Sequence, residues 1–229
     1  MSAPDVRAFT VGPVQENCFV VRAGADSPRA FIVDPGDEPN RLLEAIEALG
    51  VQIEAILITH CHFDHIGAVA PLAAATGAPV YCPVIERPLL TDVMSFVPPG
   101  FGPFASWEPE HTLAGGEHLQ IAGIDIDVLF TPGHSPGHLT YAVPGALLSG
   151  DVLFQGSVGR VDLPGGDWPT LERSIEQLLR SYPPETIVYP GHMGVTTLRR
   201  ERDTNPFLTE LRERVPVTAP AAQAPSRAS

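Results

Sequence analysis

The run Thr59-His60-Cys61-His62-Phe63-Asp64-His65 packs three imidazoles and a carboxylate into six consecutive positions, 60–65. Neutral imidazole and carboxylate are the ligand set of zinc and other borderline divalent metals. Residues two apart do not share a helix face, so His60 and His62 converge only where the chain loops around a common centre. A catalytic zinc takes about three protein ligands and keeps one position open. Four candidates in one run exceed that number, and a second metal would account for the surplus. Three more ligand-type residues follow downstream, each behind a glycine: Gly133-His134, Gly150-Asp151 and Gly191-His192.

The elements that must position these residues can be read from the same chain. Ile53–Ile58 runs into the first cluster, Ile124–Phe130 into His134, Ala146–Ser149 into Asp151, and Thr186–Tyr189 into His192. These apolar runs, bounded by Gly, Pro and Asp, predict strands. In α/β architectures ligands collect beyond the carboxyl ends of strands, so four such ends would form one constellation. Further strands are expected at Val6–Val11, Cys18–Val21, Ala30–Val33, Ala78–Tyr81, Leu119–Ile121 and Thr140–Val143. Leu42, Leu43, Ile46 and Leu49 repeat at helical spacing after Pro39 and stop at Gly50. Helices are also expected over Ile66–Thr76, Trp168–Arg180, Thr196–Asp203 and Pro206–Arg214. This order predicts an α/β fold, an αββα sandwich of two mixed sheets with helices on the outer faces, as one domain over 1–215. The Pro-, Ala- and Ser-rich stretch 216–229 has no packable face and reads as a disordered tail.

Composition excludes several classes. The 229 residues are 44% hydrophobic and 18% charged, which argues against disorder or a fibrous repeat for the body of the chain. Acidic residues outnumber basic ones 27 to 14, every basic residue is Arg, and the net charge is −13. Nucleic acid and anionic membranes both call for a basic face, so neither is an expected partner; a small molecule is. Three cysteines, Cys18, Cys61 and Cys82, fit neither a disulfide framework nor a CxxC zinc site. No secretion signal or membrane-length apolar run is visible, so a cytoplasmic location is expected. The oligomeric state is not legible.

The motifs T-H-C-H-F-D-H, G-H134, G-D151 and G-H192 resemble, in order and spacing, the metallo-β-lactamase fold superfamily over residues 6–211. The resemblance implies that His60, His62 and His134 hold one divalent metal and that Asp64, His65 and His192 hold another, with Asp151 bridging them. Zinc is the expected ion, iron or manganese the alternatives. Within the superfamily, the stretch from Ser149 to Asp162, the segment Val11–Cys18 and the segment Glu201–Phe207 are similar to the small glyoxalase-II-like hydrolases. That similarity implies hydrolysis of a thioester, of the S-lactoyl-thiol type, by a metal-bridging hydroxide that Asp64 helps to orient. Asp at the bridging position, where β-lactamases commonly place Cys, argues against antibiotic hydrolysis. Full-length glyoxalase II carries a helical carboxy-terminal region that binds glutathione, of which only a short helix is present here. An iron-dependent persulfide dioxygenase shares the fold and most of the motifs and is the rival reaction; a metal-binding protein without catalysis is a third reading.

Other residues carry weaker expectations. A structural zinc site would be closed and often Cys-rich, which the histidines disfavour. Cys61 is expected to pack away from the site with no second Cys nearby, and His138 to stand behind or outside the ligands. His111 and His118 are expected in a solvated connection. Arg160 and Asp162 either pair with each other or contact an anionic substrate. Phe96, Phe101, Phe104 and Trp107 form either a self-packed loop or a lid over an apolar group.

Overall fold

The computed structural model describes residues 3–215; the expected tail at 216–229 lies outside the described residues. The first sheet contains β1 (Asp5–Val11), β2 (Glu16–Arg22), β3 (Arg29–Val33), β4 (Gln52–Leu57), β5 (Val80–Pro83) and β6 (His111–Leu113) in that order. Its first three strands are antiparallel neighbours, and β3 to β6 run parallel. The second sheet contains β7 (His118–Ile121), β8 (Ile124–Phe130), β9 (Leu139–Val143) and β10 (Ala146–Gly150). A hairpin of β11 (Leu153–Phe154) and β12 (Ser157–Val158) follows, and then β13 (Ile187–Pro190) and β14 (Thr196–Thr197) complete the sheet in the order β14-β13-β10-β9-β8-β7. Only β10 and β13 pair in parallel there.

Alternation along the strands builds the layers. Ile32 and Ile56 point outward onto Leu42 and Ile46 of α1 (Pro39–Leu49) and Leu72 of α3 (Val69–Thr76), a short α2 (Phe63–Ile66) preceding the latter. Phe31, Val33 and Leu57 point inward against Ile126, Val128 and Tyr141 of the other sheet. Leu147 and Val188 face α5 (Trp168–Ser181), whose Leu171, Ile175 and Leu178 recur at i, i+4 and i+7. Helix, sheet, sheet and helix therefore stack in four layers, and all seven residues of β2 are buried because both faces are covered. Among the described residues no helix is long and apolar enough to cross a membrane.

Local signals act as the sequence predicts at most boundaries. Pro39 opens α1 and Gly50, at φ 63°, closes it. The Asp167 carboxylate accepts the Thr170 amide at 2.9 Å and caps α5. The helix expected over Ile66–Thr76 is broken instead. Gly67 lies flush against the Phe104 ring and the Ala68 amide donates to Pro35 O at 3.0 Å, so α2 ends at Ile66 and α3 starts at Val69. The supposed connection at His111 is the edge strand β6, paired with β5 through Tyr81↔His111. A helix α4 (Arg87–Thr91) precedes the irregular 92–109 segment, and α6 (Leu198–Thr204) and α7 (Thr209–Arg214) end the described chain.

Candidate metal centre

The strands β4, β8, β10 and β13 all point their carboxyl ends to one edge of the sandwich, and the loops beyond them meet there. The two sheets are tied at that edge by Tyr141 OH donating to Ile58 O at 2.7 Å and the Leu139 amide donating to Thr59 O at 2.8 Å. His134 Nε2 stands 3.2 Å from His60 Nε2 and 2.8 Å from His62 Nδ1, and the last two nitrogens are 3.1 Å apart. Ligands about 2.0–2.1 Å from a tetrahedral zinc lie roughly 3.3 Å from each other, so this spacing fits a shared cation. His192 Nε2 lies 3.3 Å from Asp64 Oδ2, and His65 Nε2 lies 3.9 Å from the same oxygen.

Asp151 stands between the two sets. Its Oδ2 is 3.4 Å from His134 Nε2 and 3.6 Å from His192 Nε2, and its Oδ1 is 3.5 Å from His65 Nε2. His65 Nε2 and Asp151 Oδ1 are buried and have no hydrogen-bond partner. Buried polar atoms are almost always paired, and a cation between them would satisfy both. The donor set therefore fits two divalent metals.

The groups behind the ligands aim them. His134 Nδ1 lies 2.8 Å from Arg160 O, and His65 Nδ1 lies 3.0 Å from Asp34 Oδ2. A carbonyl and a carboxylate only accept, so each Nδ1 carries a proton and each Nε2 is the nitrogen that faces the site. Thr59 Oγ1 donates to Asp34 Oδ2 at 2.5 Å and is 3.1 Å from His60 Nδ1, which fixes His60 the same way. The buried Glu86 accepts from the Cys61 amide at 2.6 Å, the Gly137 amide at 2.8 Å and Ser135 Oγ at 2.5 Å, clamping the 60–62 loop to the 134–137 loop. Asn17 Nδ2 donates to Pro190 O at 3.1 Å and Met193 O at 2.9 Å, holding the His192 loop. No side chain could be added at Gly191, where a Cβ would collide with Asp151 Oδ1.

Protonation differs across the site. Burial pushes His60 well below the usual imidazole range and His62 down to about 4. Burial opposes the charged form of His65 as well, yet Asp151, Asp64 and Asp34 hold it well above that range. The same contest raises His192, burial being outweighed by Asp64 and Asp151. Burial alone would raise Asp64, but His65 and His192 keep it ionised.

All seven ligand candidates come together, and the remaining expectations resolve individually. His138 is buried behind the site, its Nε2 accepting from the Asp151 amide at 3.0 Å and its Nδ1 lying 3.1 Å from Thr131 Oγ1. Arg160 forms a two-pronged pair with Asp162 at 2.7 Å, both side chains exposed. Cys61 does pack away from the ligands, but a second Cys is near: its Sγ is 3.5 Å from Cys82 Sγ, because parallel pairing of β4 and β5 brings their ends together. His118 is exposed and bound to Asp127 at 2.8 Å, while His111 stacks on Tyr81 with centroids 4.4 Å apart. Phe101 and Phe104 pack on Phe63, with centroids 4.6 and 6.5 Å away, and Phe96 is exposed. Phe101, Phe104 and Trp107 wall a groove of about 730 Å³ against Gly67 and Pro71, and none of the seven ligand candidates lines it.

Asp34, Glu16 and Glu86 were not singled out by the sequence reading. Asp34 had a usable signal, since Val33-Asp34-Pro35-Gly36 is a strand running into an Asp-Pro-Gly turn, much as β8 runs into Thr131-Pro132-Gly133-His134. Glu16 is wholly buried, neither carboxylate oxygen has a hydrogen-bond partner, and Oε1 is 3.8 Å from His65 Nδ1.

Comparison with known proteins agrees with this geometry. The family model "Metallo-beta-lactamase superfamily" matches residues 11–192. The hydroxyacylglutathione hydrolase GloC of Haemophilus influenzae is 33% identical over 209 residues, covering 89% of this chain and 98% of GloC. Among solved structures, BLEG-1, described as a B3 metallo-beta-lactamase, superposes with a TM-score of 0.84 at 38% identity, covering 90% of this chain and all of that one. TTHA1623 in a di-iron-bound form superposes with a TM-score of 0.73 at 43% identity, covering 89% of this chain and all of that one.

Proposed function

The chain belongs to the metallo-beta-lactamase superfamily, and we propose that it is a two-metal hydrolase of thioesters, of the S-lactoyl-thiol type. The observation that carries the two-metal reading is Asp151, whose carboxylate faces His134 on one side and His65 and His192 on the other within 3.4–3.6 Å. His60, His62 and His134 would hold one cation, Asp64, His65 and His192 the other, and Asp151 would serve both. Zinc is the proposed ion, and the di-iron form of TTHA1623 makes iron the first alternative to measure. Such a pair supplies Lewis-acid activation of a carbonyl and of a water at neutral pH.

The protein's own groups do the rest. Asp64 stays ionised beside His65 and His192 and can orient an attacking water through a carboxylate oxygen. In the overall reaction water adds to the acyl carbon, the C–S bond breaks, and a carboxylic acid and a thiol leave. A thiolate is a good leaving group, so no strong general acid is required. The choice of thioester rests on the likeness to GloC, which this chain matches over nearly all of that protein's length.

The likeness to BLEG-1 favours one competing reading, β-lactam hydrolysis. The deciding experiment assays metal-quantified protein on S-lactoylglutathione, on nitrocefin, and on glutathione persulfide with oxygen uptake recorded. A kcat/KM for the thioester at least 100-fold above that for nitrocefin, with no oxygen consumed, is the expected result. A faster β-lactam reaction, or oxygen uptake with one iron per chain, would overturn the assignment.

A further inference from the structure

Most arginines of this acidic chain are neutralised. Arg160 pairs with Asp162, Arg199 with Glu185 and Arg202 with Asp203. Arg200 is exposed and, among the described residues, has no carboxylate partner. With the Gln155 amide turned so that its oxygen faces the guanidinium, Arg200 donates to it from Nη1 at 3.0 Å and Nη2 at 3.2 Å. An arginine side chain has five N–H groups, so three are left for a ligand.

Gln155 occupies the turn between β11 and β12, one residue after Phe154, whose ring stands edge-on to His192 with centroids 5.8 Å apart. The same amide lies against Gly194, two residues beyond His192, where an added Cβ would strike it. The turn is anchored from beneath: the Gly156 amide donates to Glu201 Oε2 at 2.7 Å, and Asn205 Nδ2 donates to Ser157 O at 2.9 Å. The guanidinium is thus one side chain away from the loop that carries a metal-site ligand, on a braced hairpin. Met193 and Val195, 58% and 47% exposed, offer apolar surface alongside it.

We propose that Arg200 and Gln155 form a receptor for a carboxylate on the thiol half of the substrate, a role the sequence had offered to Arg160. A planar guanidinium fork matches a carboxylate in two-pronged geometry, and the Gln155 amide nitrogen can add a donor. The ligand class is a peptidic thiol bearing a free carboxylate. This inference rests on the thioesterase reading for its kinetics but not for its binding.

The test uses two thioesters with the same lactoyl group, S-lactoylglutathione and the uncharged S-lactoyl-N-acetylcysteamine, on the metal-loaded wild type and Arg200→Ala. Expected is a roughly tenfold rise in KM for the glutathione ester with kcat within about twofold, no change for the neutral ester, and partial recovery in Arg200→Lys. Calorimetry with the non-hydrolysable S-methylglutathione should show the same loss of affinity, with melting temperature and metal content unchanged. Equal effects on both esters, or S-methylglutathione binding that ignores Arg200, would overturn the receptor. If the wild type cleaves neither ester yet binds S-methylglutathione through Arg200, the receptor stands and the thioesterase reading falls.

Discussion

Around His60, His62 and His134 the ligands are imidazoles held by a threonine, a carbonyl and a clamped loop, whereas Asp64, His65 and His192 stand among carboxylates. The two triads share Asp151 and little else electrostatically. In the first, burial drives His60 and His62 toward the neutral form before any metal arrives. In the second, Asp64, Asp151 and Asp34 hold positive charge on the imidazoles, with Glu16 behind them. Two cations bound there would therefore not be equivalent. The first would be less neutralised by its ligands and the stronger electrophile, and the second would be the better compensated.

Removing the shared carboxylate should have the largest effect, because it breaks the comparison itself. Asp151→Ala is expected to lower the metal count from two to at most one per chain and kcat/KM by at least about 10³. The count by inductively coupled plasma mass spectrometry and the thioester assay check both. Two retained metals with full turnover would mean that Asp151 bridges nothing.

Acid should separate the triads by a smaller margin. Protons compete with metals for imidazole nitrogen. His62, pushed down to about 4, stays free of protons until the pH approaches that value. His65 and His192 are raised, so a metal at the second triad displaces protons even near neutrality. On stepwise dialysis from neutral pH downward, the single metal of His192→Ala should persist to lower pH than that of His62→Ala. Loss at one common pH, or in the reverse order, would erase the proposed asymmetry.

The part of this site legible in the sequence is the part made of local contrast. Histidines and an aspartate at the ends of apolar runs stand out because such groups are costly there, and the alternation that fixes Ile32 outward and Val33 inward is equally local. What escaped depends on distant partners. Asp34 acquires its role from Thr59 and His65, and Glu86 from Cys61 and Gly137, contacts 25 to 51 residues apart. The break before α3 comes from a ring 37 positions away in the chain, Phe104 against Gly67, which no helical period records. The edge strand β6 hid because His111 and Thr112 are exposed and polar, leaving Leu113 as its one buried residue.

Glu16 gives the smallest and sharpest test of the asymmetry, since it lies behind the second triad. Burial raises its carboxyl well above the ordinary value of 4.5, with Asp34, Asp64 and Asp151 adding to the rise that His65 opposes. A carboxyl raised in this way favours the protonated form. In metal-free protein it costs no stability below its ordinary value and destabilises the fold as the pH climbs above it. Glu16→Gln keeps the shape and removes that penalty, so the metal-free variant should melt above the wild type at pH 8 and level with it at pH 4. With metals bound the sign should reverse, because a charge facing the second cation from behind His65 is then lost. The expected change is a few-fold weaker second site and an untouched first one, read by competition with a chromophoric chelator. A variant that is more stable in both states would assign Glu16 to the fold alone and leave Asp34 as the only carboxylate behind His65 acting on the second triad.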